Sequence, residues 1–230
     1  MLEGILGEAP YKSPTDMGVN MVGFAISDDE AVKDAAKQEI IRRYYSALVC
    51  ERQGMSNETD SEKIELLMKQ VGATVDDRPV VQYAIEKAET EGSPATAIEM
   101  PDGKIITGKT SSLLGAASAM LLNALKYLAG IDDSVNLISP TIIEPMQKLK
   151  TEIMGNHNPR LHTDEILIAL SICAATDSLA KQALDNAYKL AGCEAHSSVI
   201  LSGVDENVFR KLGVNLTCEP KYQTKKLYHN

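Results

Sequence analysis

Residues 113–128, LLGAASAMLLNALKYL, constrain the fold more than any other stretch, because Ser118, Asn123 and Lys126 are the polar breaks in a nearly unbroken apolar run. A helix that is apolar almost all round has to lie inside a layered domain. Residues 111–129 approach membrane-span length, yet Asn123, Lys126, many alanines and the hairpin before them favour a buried helix of a soluble domain. Just upstream, Ala95 to Met100 and Lys104 to Thr107 are short β-compatible segments, and Pro101-Asp102-Gly103 supplies turn residues between them. The expectation is a hairpin followed by a central helix starting near Ser111.

The flanks supply the remaining layers. Capping boxes at Ser27 to Glu30 and at Thr59 to Glu62, with apolar residues at helical spacing behind each, predict helices to about Arg52 and to Gly72. Asp77 caps a third helix with Pro79 in its first turn. These make a small helical subdomain, preceded by an entry loop, over residues 1–92. After the central helix come a short strand (Val135 to Ile138), helices from Pro140, Asp164 and Asp177, a strand (Ser197 to Leu201), a helix (Asp205 to Leu212) and a strand (Val214 to Thr217). Alternating strands and helices imply an α/β class, with a layered α/β/α domain on a short mixed sheet over residues 93–230.

Gly103 to Thr110, GKIITGKT, matches the phosphate-loop pattern G-x-x-x-x-G-K-[ST]. That loop needs a strand ending at the first glycine and a flexible turn after it. Here Lys104 to Thr107 are strand formers that follow a turn, so the match is rejected. A smaller reading survives. Lys109, Thr110 and Ser111, placed at a helix N-terminus, suit an anion such as a phosphate, with free N–H groups and the helix dipole assisting. The alternative is that Thr110 or Ser111 only caps the helix and Lys109 is solvated.

Three further groups of residues carry chemistry. Cys193 and His196 in Cys-Glu-Ala-His suggest a nucleophile and its base, or, with Cys218, part of a zinc site that lacks its full ligand set. His157, Asn158 and Arg160 in Gly-Asn-His-Asn-Pro-Arg suit a polar or anionic ligand. Asp16 and Asn20 in Ser-Pro-Thr-Asp-Met-Gly-Val-Asn offer a carboxylate for base chemistry and an amide, or an Asx turn. The ordinary alternatives are a half-buried cysteine, a hydrogen-bonded histidine and loop polarity. No cofactor is indicated, and the peptidase motif H-E-x-x-H is absent from the sequence.

A net charge of −9 disfavours a nucleic-acid partner, whose readers present a basic stripe. The four cysteines are too widely spread for a disulfide framework, so reduced thiols in a cytoplasmic protein are expected, with no membrane partner. Leu2, Ile5 and Leu6 read as the end of a helix without its body, which predicts an upstream domain and, for the isolated chain, self-association into a homo-oligomer.

Several long segments carry a resemblance: YKSPTDMGVN, ISDDEAVKDAAKQEIIRRYYSAL, MPDGKIITGKTSSLLGAASAMLLNALKYLAGI, GCEAHSSVILS and LGVNLTCEP. Together they resemble the carboxyl-terminal half of the bacterial family known as domain of unknown function 1846. The resemblance implies a helical subdomain followed by a layered α/β domain, and an upstream α/β domain with its own Gly-rich, lysine-containing loop. Some family members are labelled ATP-dependent peptidases, yet these residues do not support proteolysis. The resemblance transfers no catalytic residue. The two readings of function are a cleft for a small anionic ligand, formed where the 13–20 loop, the 108–112 helix start and the Cys193–His196 strand start meet, and a structural, oligomerising half.

Overall fold

The structure, a computed structural model, describes residues 29–56 and 59–223. The chain forms two compact units, Met1–Arg78 and Pro79–Asn230. In the first, α1 (Asp29–Arg52) packs against α2 (Thr59–Val71), burying Ile41, Tyr45 and Met68. Glu51 joins the two helices by accepting from both the backbone N–H and the hydroxyl of Ser61, at 2.8 and 2.9 Å. A 3₁₀ turn (Val75–Asp77) closes the unit, and the buried Arg78 donates to Gln38 at 3.2 Å.

The second unit is built on a four-stranded mixed sheet of order β2-β1-β3-β4. Its strands are β1 (Ala95–Glu99), β2 (Ile105–Lys109), β3 (Glu194–Ser197) and β4 (Asn215–Cys218). β1 runs antiparallel to both β2 and β3, while β3 and β4 are parallel. The predicted hairpin is therefore present, its turn closed by Gly103 in the left-handed region at φ 82°. α3 (Pro79–Glu91), grouped with the preceding helices by its sequence pattern, packs on the sheet, where Val80 and Ala84 meet Ala97. The opposite face carries α4 (Ala116–Leu128), whose Met120, Leu121, Ala124 and Leu125 are fully buried against Ile98 and Ala195. Further helices complete the unit: α5 (Pro140–Lys148), continued by a π-helical turn (Leu149–Ile153), then α6 (Thr163–Cys173) and α7 (Ser178–Asp185), which both pack on α4, and, between β3 and β4, α8 (Gly203–Lys211), which packs on α6 and β4. This is the expected α/β/α layering on a short mixed sheet.

Several boundaries differ from their sequence patterns. The central helix begins at Ala116 with Gly115 as N-cap, five residues later than Ser111. The cause is tertiary: Leu161 N–H donates to Leu113 O (3.1 Å) and Gly115 N–H to Leu161 O (3.3 Å), so residues 113–115 are held extended beside residue 161. Residues 135–138 form no strand, β3 begins at Glu194 instead of Ser197, and the helix from Asp177 breaks into α7 and a 3₁₀ turn (Ala187–Leu190).

The Gly103 to Thr110 match falls, as its residue types require, on a turn and a strand. Gly108 has a packing role, since a Cβ there would lie 2.0 Å from the backbone nitrogen of Met120. Glycine at this strand position lets the helix backbone sit directly on the sheet.

Candidate functional site

A cleft of about 220 Å³ in the second unit opens at the N-terminal end of α4, lined by Thr110, Gly115 to Ser118, Asn158, Arg160 to His162, Val199 to Ser202 and Asp205, among others. It is smaller than the roughly 300 Å³ at which sites for drug-sized molecules begin, and suits a small group. The first three N–H groups of α4, from Ala116, Ala117 and Ser118, have no hydrogen-bond partner among the described residues. Gly115 has no side chain to cap them, and the first turn holds no acidic residue. Such a terminus carries about half a positive charge with N–H groups aimed outward.

The loop ending at Arg160 brings a second charge. Arg160 Nε donates to Ser111 O at 2.8 Å, while its terminal guanidinium nitrogens have no partner among the described residues. Buried Lys150 fixes this loop from below, donating to Arg160 O at 2.8 Å and to Glu165 at 2.7 Å. Glu165 in turn accepts the backbone N–H of His162 at 2.7 Å.

His162 and Asp205 bring a pair of titratable groups to the cleft wall. His162 Nδ1 lies 2.9 Å from Asp205 Oδ2, which also accepts the Ser202 hydroxyl at 2.7 Å. Asp205 Oδ1 accepts the backbone N–H and the hydroxyl of Thr163, both at 2.9 Å. The Asp205 hydrogen bond holds His162 above the usual histidine value, against desolvation. Burial pushes the Asp205 carboxyl up, but His162, Thr163 and Ser202 outweigh it and keep the group below its ordinary range.

Thr110 and Arg160 line the cleft, as do the histidine and the carboxylate that the sequence pattern did not single out. Ser111 does not; its hydroxyl folds back to accept Leu113 and Leu114 N–H at 3.2 and 3.1 Å. Lys109, at the end of β2, is exposed and pairs with Glu91 at 2.5 Å, so it shares no cleft with the helix terminus. Asp16 and Asn20 lie outside the described residues, as do Leu2, Ile5 and Leu6. His157 is exposed and is not part of the cleft wall.

Cys193 and His196 are not brought together. Strand alternation puts them on opposite faces: Cys193 packs in the core with Ala195, whereas His196 sits in register with Ala97 on the α3 side. Fully buried, His196 bonds Thr217 Oγ1 through Nδ1 at 2.8 Å, and its Nε2 lies 3.4 Å from Glu219. Burial raises the Cys193 thiol and pushes Cys218 up to about 12, the reverse of nucleophile activation. Among the described residues no group of three or more His, Cys, Asp or Glu is arranged to hold a metal ion.

His162 and Asp205 had a sequence signal that was only local. Ser202 and Asp205 stand at capping-box spacing, and His162 precedes a Thr-Asp-Glu helix start. Nothing in either signal links positions 43 residues apart.

Comparison with known proteins gives the family. Residues 76–228 match the model described as domain of unknown function DUF1846, C-terminal, and residues 1–72 match the N-terminal model of the same family. The expected carboxyl-terminal character therefore needs amending, because the first 72 residues match the N-terminal model. The UPF0371 protein of Corynebacterium glutamicum (strain R) is 58% identical over 228 residues, covering 99% of this chain and 46% of that protein. Those of Corynebacterium diphtheriae and Streptococcus thermophilus (strain CNRZ 1066) are each 55% identical over the same length and with the same coverage. The chain spans about half the length of these curated relatives. No helix among the described residues is long and apolar enough to cross a membrane. With both of its domain models matched along the chain, the protein belongs to the bacterial DUF1846 (UPF0371) family.

Proposed function

We propose that the cleft at the start of α4 is a binding site for a small ligand bearing a carboxylate or phosphate group, in a cytoplasmic protein. The observation that carries this reading is the row of N–H groups from Ala116 to Ser118, which lack partners among the described residues at the end of a 13-residue helix and stand beside the free face of Arg160. Buried N–H groups are almost always satisfied, and a ligand oxygen satisfies them here. His162, held above the usual histidine value, adds positive charge on the acid side of neutrality. The activity of the longer relatives, and any partnership with segments beyond this chain, belong to the same proposal.

Sulfate titration followed by amide NMR tests it. The Ala116, Ala117 and Ser118 amides shift together with saturation, and Arg160→Ala weakens the affinity by about 1.5–3 kcal/mol, the scale of a hydrogen bond to a charged group. Amides that stay still throughout the titration refute the reading.

A structural, oligomerising role is the second reading. It is supported by the exposed apolar side chains of Ile153 and Met154 after α5 and of Ile168 and Ile172 on α6, which are 77, 67, 59 and 65% exposed. Sedimentation velocity that finds only monomer across a wide concentration range removes it.

A further inference from the structure

We propose that His162 is a general acid–base residue, positioned by Asp205, so that the cleft carries out proton transfer on the anionic compound it binds. This rests on the anion-binding reading and goes beyond it, from holding a ligand to acting on one.

The hydrogen bonds around Asp205 fix the state of the ring. Each carboxylate oxygen accepts twice: Oδ1 from the Thr163 N–H and hydroxyl, Oδ2 from the Ser202 hydroxyl and from His162. An ionised carboxylate only accepts, so His162 Nδ1 has to carry a hydrogen. Neutral His162 is therefore the Nδ1–H tautomer, with its lone pair on Nε2. That nitrogen has no protein partner among the described residues and is not buried, and His162 lines the cleft together with Ala116 to Ser118. A ring oriented through one nitrogen by a buried carboxylate, in a residue that lines a cleft and with the other nitrogen unbonded and accessible, is the arrangement of histidine bases.

The same geometry removes a nucleophilic serine. Ser202 Oγ is 3.3 Å from Nδ1, on the Asp205 side of the ring, and it also accepts Asp205 N–H as the cap of α8. Nε2 cannot take its proton. The step that remains is direct: the Nε2 lone pair takes a proton from a C–H or O–H next to the bound anionic group, or from a water, giving imidazolium. Asp205 balances the new charge without itself being protonated, and Nε2–H then returns the proton to the product. No further reactant is consumed. The Asp205 hydrogen bond, with Glu165, favours the cation while burial and Lys150 oppose it, and the balance holds His162 above the usual histidine value. Among the described residues, Arg160 and Asp205 are the other charged groups that line the cleft.

Long-range ¹H–¹⁵N NMR of the full chain labelled on its four histidines, with sulfate as the probe, tests the assignment. Expected are an Nδ1–H tautomer for neutral His162, a titration midpoint above that of a free histidine, and a sulfate-induced shift at Nε2. Diethyl pyrocarbonate, which acylates an unprotonated, accessible imidazole, is expected to modify His162 in wild type, with loss of modification as sulfate saturates. Asp205→Asn should bring the midpoint down toward the free value, and the wild-type tautomer decides the matter even if that variant does not fold. An Nε2–H tautomer, or an Nε2 that neither shifts with sulfate nor reacts, overturns the proposal while leaving anion binding intact. Absence of sulfate shifts at Ala116 to Ser118 overturns the anion reading and this proposal together.

Discussion

Gly108→Ala is expected to be among the most damaging single-methyl additions to this sheet. A Cβ at position 108 would lie 2.0 Å from Met120 N, 2.5 Å from Met120 Cα and 2.7 Å from Ala119 C. All three atoms belong to the α4 backbone, so no rotamer change relieves the overlap. Ordinary contact begins near 3.4 Å, so α4 has to retreat from β2 by about 1.4 Å. That movement loosens Met120, Leu121, Ala124 and Leu125, each fully buried. Overpacking that side chains absorb costs about 1–3 kcal/mol. With rigid backbone opposite the new methyl and the core beneath α4 loosened as well, about 3–5 kcal/mol is expected, the range of a large core truncation. Domains of this kind are stable by about 5–15 kcal/mol, so the variant should be near its limit. The assay is urea unfolding followed by far-ultraviolet circular dichroism, comparing midpoints at common slope. Gly203→Ala is the control: it lies at the first position of α8, with nothing within 4 Å of the added methyl and no left-handed φ. A Gly108→Ala protein within about 1 kcal/mol of wild type would refute the close-packing argument.

Buried thiols should separate from the others: Cys193 and Cys218 resist a disulfide reagent in the native protein and react on unfolding, as peptide mapping would show, and rapid native labelling of either contradicts their burial. Lys150→Ala leaves Glu165 and the Arg160 carbonyl without their buried partner. Because Glu165 is partly exposed, a loss at the lower end of the roughly 3–5 kcal/mol for a broken buried pair is expected, together with weaker sulfate binding. Lys109→Ala should leave sulfate affinity unchanged, while the Glu91 carboxyl, which Lys109 and then Lys87 hold down to about 2, titrates higher by carbon-detected NMR. His162 and Asp205 give a pH signature whose signs differ. The raised His162 contributes stability fully present below about pH 6.5 and lost as pH rises through its folded value. The lowered Asp205 contributes stability present above about pH 3.8 and lost as pH falls through its own folded value. A series of Tm values against pH should therefore fall on the alkaline side in wild type and flatten there in His162→Gln; parallel curves would count against the pair.

The hairpin, the buried central helix and the α/β layering are legible in local stretches of sequence. Turn residues at 101–103, β-compatible flanks and an apolar run are local signals, and their preferences act within one turn or one strand pair. The sequence also held, unused, the reason Cys193 and His196 stay apart, since residues three apart on a strand face opposite ways. Residue type alone rules out the phosphate-loop match, whereas the reason Gly108 is glycine lies in the helix backbone seated on it. Tertiary structure alone decided that α4 starts at Ala116, because residues 113–115 are drawn extended by hydrogen bonds to residue 161, which outcompete an early helical turn. It alone joined His162 to Asp205, and both to the α4 terminus. Those contacts link segments tens of residues apart, and their energy comes from packing and buried hydrogen bonds that no window of neighbouring residues contains.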